Sequence, residues 1–287
     1  MMPQTISDTR TWQATLDLGF SRKGARSVLS AQNHTGPLLV QRALYPEGPE
    51  VCHMAILHPP SGIAGGDEID INIHVAKEAH ATLTTPGATR WYKANGRRAR
   101  QTIRLTVEPQ ARLDWLPMEN IFYEQADATN QIEISLQPGA RAIGWEISQL
   151  GSILKDGHWG SGRVRSSASL RIADRLLWVE EGSIAATDPL RTSVAGLAGL
   201  PIHATLWCFG PTLAAAPTES LSAQMPWRED LRAGMTVISY DTTQSLHMVR
   251  CTGLHAEDVR NLLVEAWMIL RRDVLGIVGT PLRLWNT

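Results

Sequence analysis

The sequence predicts an all-β protein: a β-helix-like stacked body with two α-helices in its C-terminal region. Three observations carry that reading. Apolar and polar residues alternate with period 2 along much of the first 210 or so residues, as in strands with one buried face. Residues 71–85 (INIHVAKEAHATLTT), 103–117 (IRLTVEPQARLDWLP) and 132–146 (IEISLQPGARAIGWE) share one pattern, at spacings of 32 and 29 residues. A single strong 3.6-residue periodicity appears only near the end of the chain.

Trp12, Ala14, Leu16, Leu18 and Phe20 alternate and form the first expected strand. Residues 57–67 read LHPPSGIAGGD. Pro59 and Pro60 remove two N–H donors, while Gly62, Gly65 and Gly66 permit positive φ or close backbone approach. The segment is a rigid turn that ends in a carboxylate, Asp67. Residues 83–92 (LTTPGATRWY) are a second strand running into a Pro-Gly turn.

In the three repeated segments a strand is followed by a turn, then by Ala with a basic residue opening a second apolar strand. Ile71, Ile103 and Ile132 correspond, as do Val75, Val107 and Leu136, and Ala79, Ala111 and Ala140. Two arrangements fit: stacked β units, or a meander of similar hairpins. Residues 170–181 (LRIADRLLWVEE) resemble a weaker fourth copy. Residues 210–217 read as a connection, 219–233 as a helix broken near Pro226, and 237–240 with 246–251 as a hairpin.

The strong helix covers residues 256–275. Val259, Leu262, Leu263, Ala266, Trp267, Leu270 and Val274 share one face. Glu257 and Asp258 open it, Arg271 and Arg272 close it, and Gly276 follows, all of which suit the helix dipole and C-cap. The helix is expected to pack on the β body, giving one domain over 1–287 with its β body at about 10–210 and the helical part at about 211–287.

Composition narrows the function classes. Twenty-seven Lys and Arg balance 28 Asp and Glu with no long basic stripe, so nucleic-acid binding has little support. No apolar run reaches the roughly 18 residues of a membrane span, and the N-terminal pattern is not that of a secretory leader. Cys52, Cys208 and Cys251 are widely spaced and odd in number, which suits a reducing cytoplasm.

No catalytic constellation is evident. Ser61 lies between Pro60 and Gly62, which is not a nucleophile elbow, and no phosphate-binding glycine loop is present. His74 and His80 would face one another across a hairpin as a weak two-ligand site; outward-facing strand positions are the plainer alternative. The carboxylates are more informative. Asp67 ends the glycine turn, Glu146 sits in the apolar run IGWEIS, Glu180 and Glu181 follow LLWV, and Glu119 follows LPM. A carboxylate in an apolar strand is costly to bury without a cation, a donor or water. The alternative is that each occupies the wet face of its strand.

Four segments resemble the urease accessory protein UreD (UreH) family: residues 57–67; Thr-Pro-Gly-Ala at 85–88 with Arg90 and Trp91 after it; WLPMENIFYEQA at 115–126; and LRLWNT at 282–287. Ser61 stands where the family usually has glycine. Residues 276–281 read GIVGTP where the family tends to carry a cysteine-containing run. The resemblance covers nearly the whole chain and implies a β-helix-like fold. It also implies a cytoplasmic, non-enzymatic scaffold that binds UreF, meets UreG through UreF, docks on the urease apoprotein and helps load nickel. No tightly bound cofactor is implied, only transient Ni²⁺. On that basis Asp67, Glu146, Glu180, Glu181 and His58 are candidates for an internal polar nickel path, since oxygen and imidazole ligands pass such a cation if each site is weak.

Arg283 and Trp285, with Trp267 on the preceding helix, have hot-spot composition and are candidates for the partner surface; the alternative is that Trp285 pins the chain end to the body. A different class remains open at this point: a β-helix or jelly-roll enzyme acting on polysaccharide with paired carboxylates. It needs an aromatic platform, for which Trp91, Tyr92, Trp115 and Tyr123 are available.

Overall fold

The computed structural model describes residues 11–152 and 158–286. Residue 10, at the edge of the expected β body, residues 153–157 within it, and Thr287, the last residue of the C-terminal motif, lie outside the described residues. The first strands are β1 (Gln13–Lys23), β2 (Arg26–Thr35), β3 (Leu39–Val40), β4 (Cys52–Leu57), β5 (Gly62–Ile63), β6 (Glu68–Val75), β7 (His80–Thr84), β8 (Thr89–Trp91) and β9 (Ala99–Val107). Then come β10 (Arg112–Leu116), β11 (Asn120–Phe122), β12 (Asp127–Leu136), β13 (Arg141–Leu150), β14 (Arg163–Ile172), β15 (Arg175–Ala185), β16 (Ile202–Pro211), β17 (Leu231–Ser239) and β18 (Gln244–Gly253). Helix α1 (Ala215–Ala223) precedes β17, and α2 (Ala256–Leu270) follows β18.

Two sheets stack to form a β-solenoid-like body. The first runs β15-β14-β12-β9-β6-β1-β2, the second β17-β18-β16-β13-β10-β7-β4-β3, with β5, β8 and β11 forming a side branch. The repeat sets the register. Ile71 pairs with Ile103 and Ile103 with Ile132, in parallel, and Val75, Val107 and Leu136 align likewise. Between the two strands of each unit, Glu78, Gln110 and Gly139 take the same positive φ, at 63°, 63° and 81°. Each is the third residue of a turn closed by a 3.0 Å hydrogen bond from Ala79, Ala111 or Ala140, and Pro109 and Pro138 preset the second position.

The units are not hairpins. Their two strands belong to different sheets, so each unit bends from one sheet to the other and pairs only with its neighbours in the stack. The weaker fourth copy is half right: β14 continues the parallel stack on β12, but β15 folds back antiparallel on β14 in the same sheet. His74 and His80 therefore do not meet. His74 is exposed beside Glu108 on the first sheet, whereas His80 is buried on the second.

The glycine motif is a rung of this stack. A Cβ on Gly65 would lie 1.8 Å from the Ala94 carbonyl oxygen, so only glycine lets the two turns touch, and Gly66 sits at φ 94°.

One core fills the space between the sheets. A second lies between the outer face of the second sheet and α2, built from Ile143, Trp145, Ile147, Leu206, Val249, Val259, Leu263, Trp267 and Leu270. With both faces covered, β13 is buried at nearly every position, while β12 of the first sheet alternates strictly. Alternation along β13 then places Ile143, Trp145 and Ile147 towards α2, and Gly144, Glu146 and Ser148 towards the intersheet core.

The expected helix at 256–275 is α2 extended by a π turn at Arg271–Leu275 and capped by left-handed Gly276. The expected broken helix at 219–233 is corrected. Helix α1 starts earlier, with Pro217 in its first turn where a missing N–H costs nothing, and ends before Pro226. Beyond that proline the chain becomes β17, whose run Thr236, Val237 and Ile238 pairs with β18.

Candidate functional site

A polar row crosses the intersheet core. Gln101 on β9 and Asn130 on β12 are register neighbours on the first sheet. The Gln101 amide donates to Asn130 Oδ1 at 3.0 Å, and Asn130 Nδ2 donates to Glu146 Oε2 at 2.9 Å across the gap to the second sheet. Trp115 Nε1 donates to Glu146 Oε1 at 3.2 Å. Burial pushes the Glu146 carboxyl above the ordinary range, and these two donors only partly oppose the rise.

Glu146 opens onto a small cavity of about 60 Å³ that Glu180, His203, Thr205, Ser148, Ser166 and Trp207 also line. The cavity is large enough for water, which needs polar partners to stay. Three of its lining residues carry a buried polar atom, His203 Nδ1, Trp178 Nε1 and Trp207 Nε1, that makes no hydrogen bond with any described residue. Burial pushes His203 down to about 4 against the pull of Glu180, so its imidazole is neutral at pH 7 with a lone pair to offer. On the outer side, Glu180, His203 and Thr205 also line a wider depression of about 370 Å³ beside Arg250. At the other end Gln101 lines a cavity of about 220 Å³ together with His58 and Ser61. Burial lowers the His58 pKa as well, opposed by the charge of Asp67.

The sequence-derived candidates thus separate. Glu146 and Glu180 share one cavity, and His58 reaches the same row from the other side through Gln101. Glu180 also accepts two hydrogen bonds from Arg250, at 2.6 and 3.1 Å. Glu181, one residue on, points to the opposite face of β15 and is exposed, because neighbouring strand residues alternate. Asp67 lines neither cavity. Its carboxylate accepts the backbone N–H groups of Ala64 at 2.8 Å and Trp12 at 3.0 Å, tying the glycine turn to the first strand. Sequence reasoning missed Gln101, Asn130 and His203. For the first two a signal existed: they stand 29 residues apart, in phase with the repeat, at inward positions of apolar strands.

A second polar constellation lies on the outer face of the same sheet, beneath α2. Asp114 and Arg271 are both fully buried and joined at 2.9 Å. Trp267 Nε1 adds a second donor to Asp114 Oδ1 at 2.9 Å, and Thr82 and His80 donate to Oδ2 at 3.1 and 2.6 Å. Arg271 turns its other edge to Glu47, with two bonds at 2.8 and 2.7 Å, and gives a third to the Val278 carbonyl. His53 meets Glu47 at 3.0 Å. The Arg271 guanidinium holds Asp114 well below the usual carboxylate range despite its burial. His53 and Arg271 together bring Glu47 down to about 2 against its own desolvation. Arg271 is therefore no surface cation serving a helix dipole, as its position in the last turn suggested, but the tie between α2 and the β body.

The divergent segment 276–281 completes this cluster. Thr280 N–H reaches Glu47, and Gly279 packs so close to the Trp267 ring that a Cβ would lie 2.9 Å from it. Trp267 is fully buried, and Trp285 is 9% exposed, packed against Trp145 and Trp267 with its Nε1 on Thr84. These two rings pin the chain end to the body and form the wall behind the surface; Arg283 beside them is exposed. Glu119 is also accounted for, paired with Arg260 of α2 at 3.4 Å.

The aromatic platform needed by a polysaccharide enzyme does not form. Trp91 and Trp115 are in the core, and Tyr92 and Tyr123 stack on one another at 5.6 Å. Among the described residues no group of three or more His, Cys, Asp or Glu side chains is arranged to hold a metal ion, and no helix is long and apolar enough to cross a membrane.

Comparison with known proteins places this architecture. Residues 13–286 match the family model described as UreD urease accessory protein. The chain is 54% identical over 277 residues to the urease accessory protein UreD of Bordetella pertussis (strain Tohama I), covering 96% of this chain and 98% of the relative. It is 45% identical over 288 residues to the protein of that name from Ralstonia nicotianae, covering 100% of this chain and 98% of the relative. The family and these relatives carry the name of an accessory protein, not of an enzyme, and the chain belongs to the UreD family of urease accessory proteins.

Proposed function

We propose that this chain is a cytoplasmic scaffold that binds UreF directly, meets UreG through UreF, docks on apo-urease and passes Ni²⁺ through its β body. One observation carries the reading: the row Gln101–Asn130–Glu146 joins the cavity beside His58 to the cavity shared by Glu146, Glu180 and His203. In a core built from aliphatic and aromatic side chains, such a row costs stability unless it is hydrated or used. Carboxylate, amide and neutral imidazole groups spaced along it offer a hard or borderline cation one or two ligands at a time. That suits transit better than storage. Ni²⁺ is cargo here, and no residue needs to act as a catalyst.

Within this reading Glu146 and Glu180 are the principal oxygen ligands, with His203 and His58 as imidazole donors. Asp67 contributes by holding the motif turn beside His58, and Glu181 faces outward. Arg283, exposed in front of Trp285 and Trp267, belongs to the surface offered to UreF.

The test is urease activity and nickel content in cells that carry Glu146→Gln and Glu180→Gln together, with capture of UreF and UreG as the control. The expected result is lowered activation with the complex still assembled. Full activation by the double variant would reject the path. Loss of partner capture in parallel would assign these residues to the scaffold alone.

A further inference from the structure

At the turn end of the second sheet, three guanidinium groups gather in a cleft of about 490 Å³ lined by Arg22, Arg112 and Arg141, with His80, Glu50, Glu78 and Ile277. The repeat builds it. His80, Arg112 and Arg141 occupy equivalent positions, each directly after the repeat's alanine, and they align as neighbours across the parallel strands β7, β10 and β13. Adjacent strands lie about 4.8 Å apart, so Arg112 and Arg141 are stacked like charges. Such a placement costs energy unless something negative offsets it.

The described residues supply little that does. Arg141 donates to the Val274 carbonyl at 3.1 Å. Arg22 donates to the Gly24 carbonyl at 2.8 Å and touches Glu50 at 3.4 Å. The half-buried Arg112 guanidinium makes no hydrogen bond and no ion pair with any described residue. Burial lowers its pKa, and Arg141, Arg22 and Arg271 lower it further, while Glu50 alone among its neighbours opposes them. The two carboxylates sit on the rim, with side chains 62% exposed for Glu50 and 56% for Glu78, against 25% for Arg22. Five N–H donors that no described residue uses, on one guanidinium flanked by two more cations, match the oxygens of a phosphate or a carboxylate.

We propose that this cleft is an oxyanion-binding site, in which Arg112 makes the central contact and Arg22 and Arg141 flank it. Its ligand carries a phosphate or carboxylate group, brought either by a free small anion or by an acidic side chain of a docked protein. The site is separate from the intersheet row and does not depend on the nickel reading.

The experiment uses the purified full chain, with inorganic phosphate and citrate as probes against chloride at matched ionic strength. A ligand that binds only the folded state raises Tm, and excluded-solute effects of phosphate act equally on wild type and variant. The wild type is expected to gain several degrees over Arg112→Gln with one or both probes. Without probe, Arg112→Gln is expected to melt at or above the wild-type temperature, because it removes a repelled and unpaired charge. Arg22→Gln, at the edge of the cleft, is expected to lose part of the gain and serves as the second variant should Arg112→Gln fold poorly.

Equal gains in wild type and both variants would overturn the proposal. The source of the group is read from partner capture. If phosphate competes with the captured partner and Arg112→Gln weakens capture, the oxygens come from a protein side chain. If capture is unchanged while the Tm gain is lost, they come from a small anion.

Discussion

Asp114 and Glu146 lie on opposite faces of the second sheet, and their surroundings differ in kind. Asp114 faces α2, where both oxygens are taken by Arg271, Trp267, His80 and Thr82. Glu146 faces the intersheet core, where two neutral donors reach it, no cation of the described residues does, and a cavity opens beside it. Full satisfaction with a charged partner fixes one geometry. Partial satisfaction by neutral groups leaves room for exchange. The first arrangement suits a joint between two parts of the fold, and the second suits a place where ligands come and go.

The sharpest way to break the comparison is Arg271→Ala. It strands Asp114 and Glu47 as buried carboxylates without a cation, a change that typically costs about 3–5 kcal/mol. The expected outcome is a large loss of Tm by calorimetry or circular dichroism, with early release of the C-terminal segment to proteases. Loss of less than about 1 kcal/mol would mean that the cluster is not the joint. Acid should act in the same direction. Asp114 and Glu47 hold fewer protons folded than unfolded, so their contribution is present above their ordinary values, 3.8 for Asp114 and 4.5 for Glu47; the Glu47 part is lost as pH falls towards about 2 and the Asp114 part at still lower pH. His80, also lowered by burial, adds a loss that starts as pH drops below about 6.5. Denaturant midpoints measured across that range check both parts.

The intersheet row should respond in the opposite way. Glu146 has a raised folded pKa, so the folded chain binds its proton more readily than the unfolded chain. Its destabilising contribution grows as pH rises above the ordinary carboxylate value and is complete above the folded one. Glu146→Gln removes that cost but turns one acceptor into a donor facing Asn130 or Trp115. The net change at neutral pH is expected to stay within about 1 kcal/mol. Matched urea titrations of wild type and variant at pH 5 and pH 8, values set about the ordinary carboxylate and imidazole pKa, check the sign: the variant gains on the wild type at the higher pH. A loss as large as that of Arg271→Ala would put Glu146 in the same class as Asp114.

Much of this contrast was legible in the sequence, and the illegible part has a physical reason. The repeat phase and the inward alanines Ala79, Ala111 and Ala140 foretold the stack, because each rung must bury the same positions. The unusual position of Glu146 was visible as a carboxylate in an apolar run. What the run could not show is which of two buried faces it occupies, since β13 is covered on both sides. His203 was invisible because β16 lies outside the repeat and pairs antiparallel to β13. The Asp114–Arg271–Glu47 cluster was invisible for another reason. Its members are 157 and 224 residues apart from Arg271, and Arg271 in a last helical turn looks like any surface cation. Asp67 was misleading in the other direction: a conspicuous motif carboxylate proves to hold two backbone N–H groups.

The smallest expected effect sharpens the comparison within a single strand. Glu180 and Glu181 are adjacent carboxylates in one sequence context, but only Glu180 lines the cavity with Glu146 and His203. Its bridge to Arg250 is 42–46% exposed at both side chains, and such pairs are worth about 1 kcal/mol or less. Glu181 is solvent-facing, where substitutions change stability by roughly 0.5 kcal/mol or less. Neither Glu180→Gln nor Glu181→Gln should therefore disturb folding or partner capture appreciably. Urease activation in cells is expected to fall for Glu180→Gln and to stay at the wild-type level for Glu181→Gln. Equal loss in both would point to surface charge on this edge of the first sheet rather than to the cavity, because both residues carry the charge whereas Glu180 alone lines the cavity and pairs with Arg250.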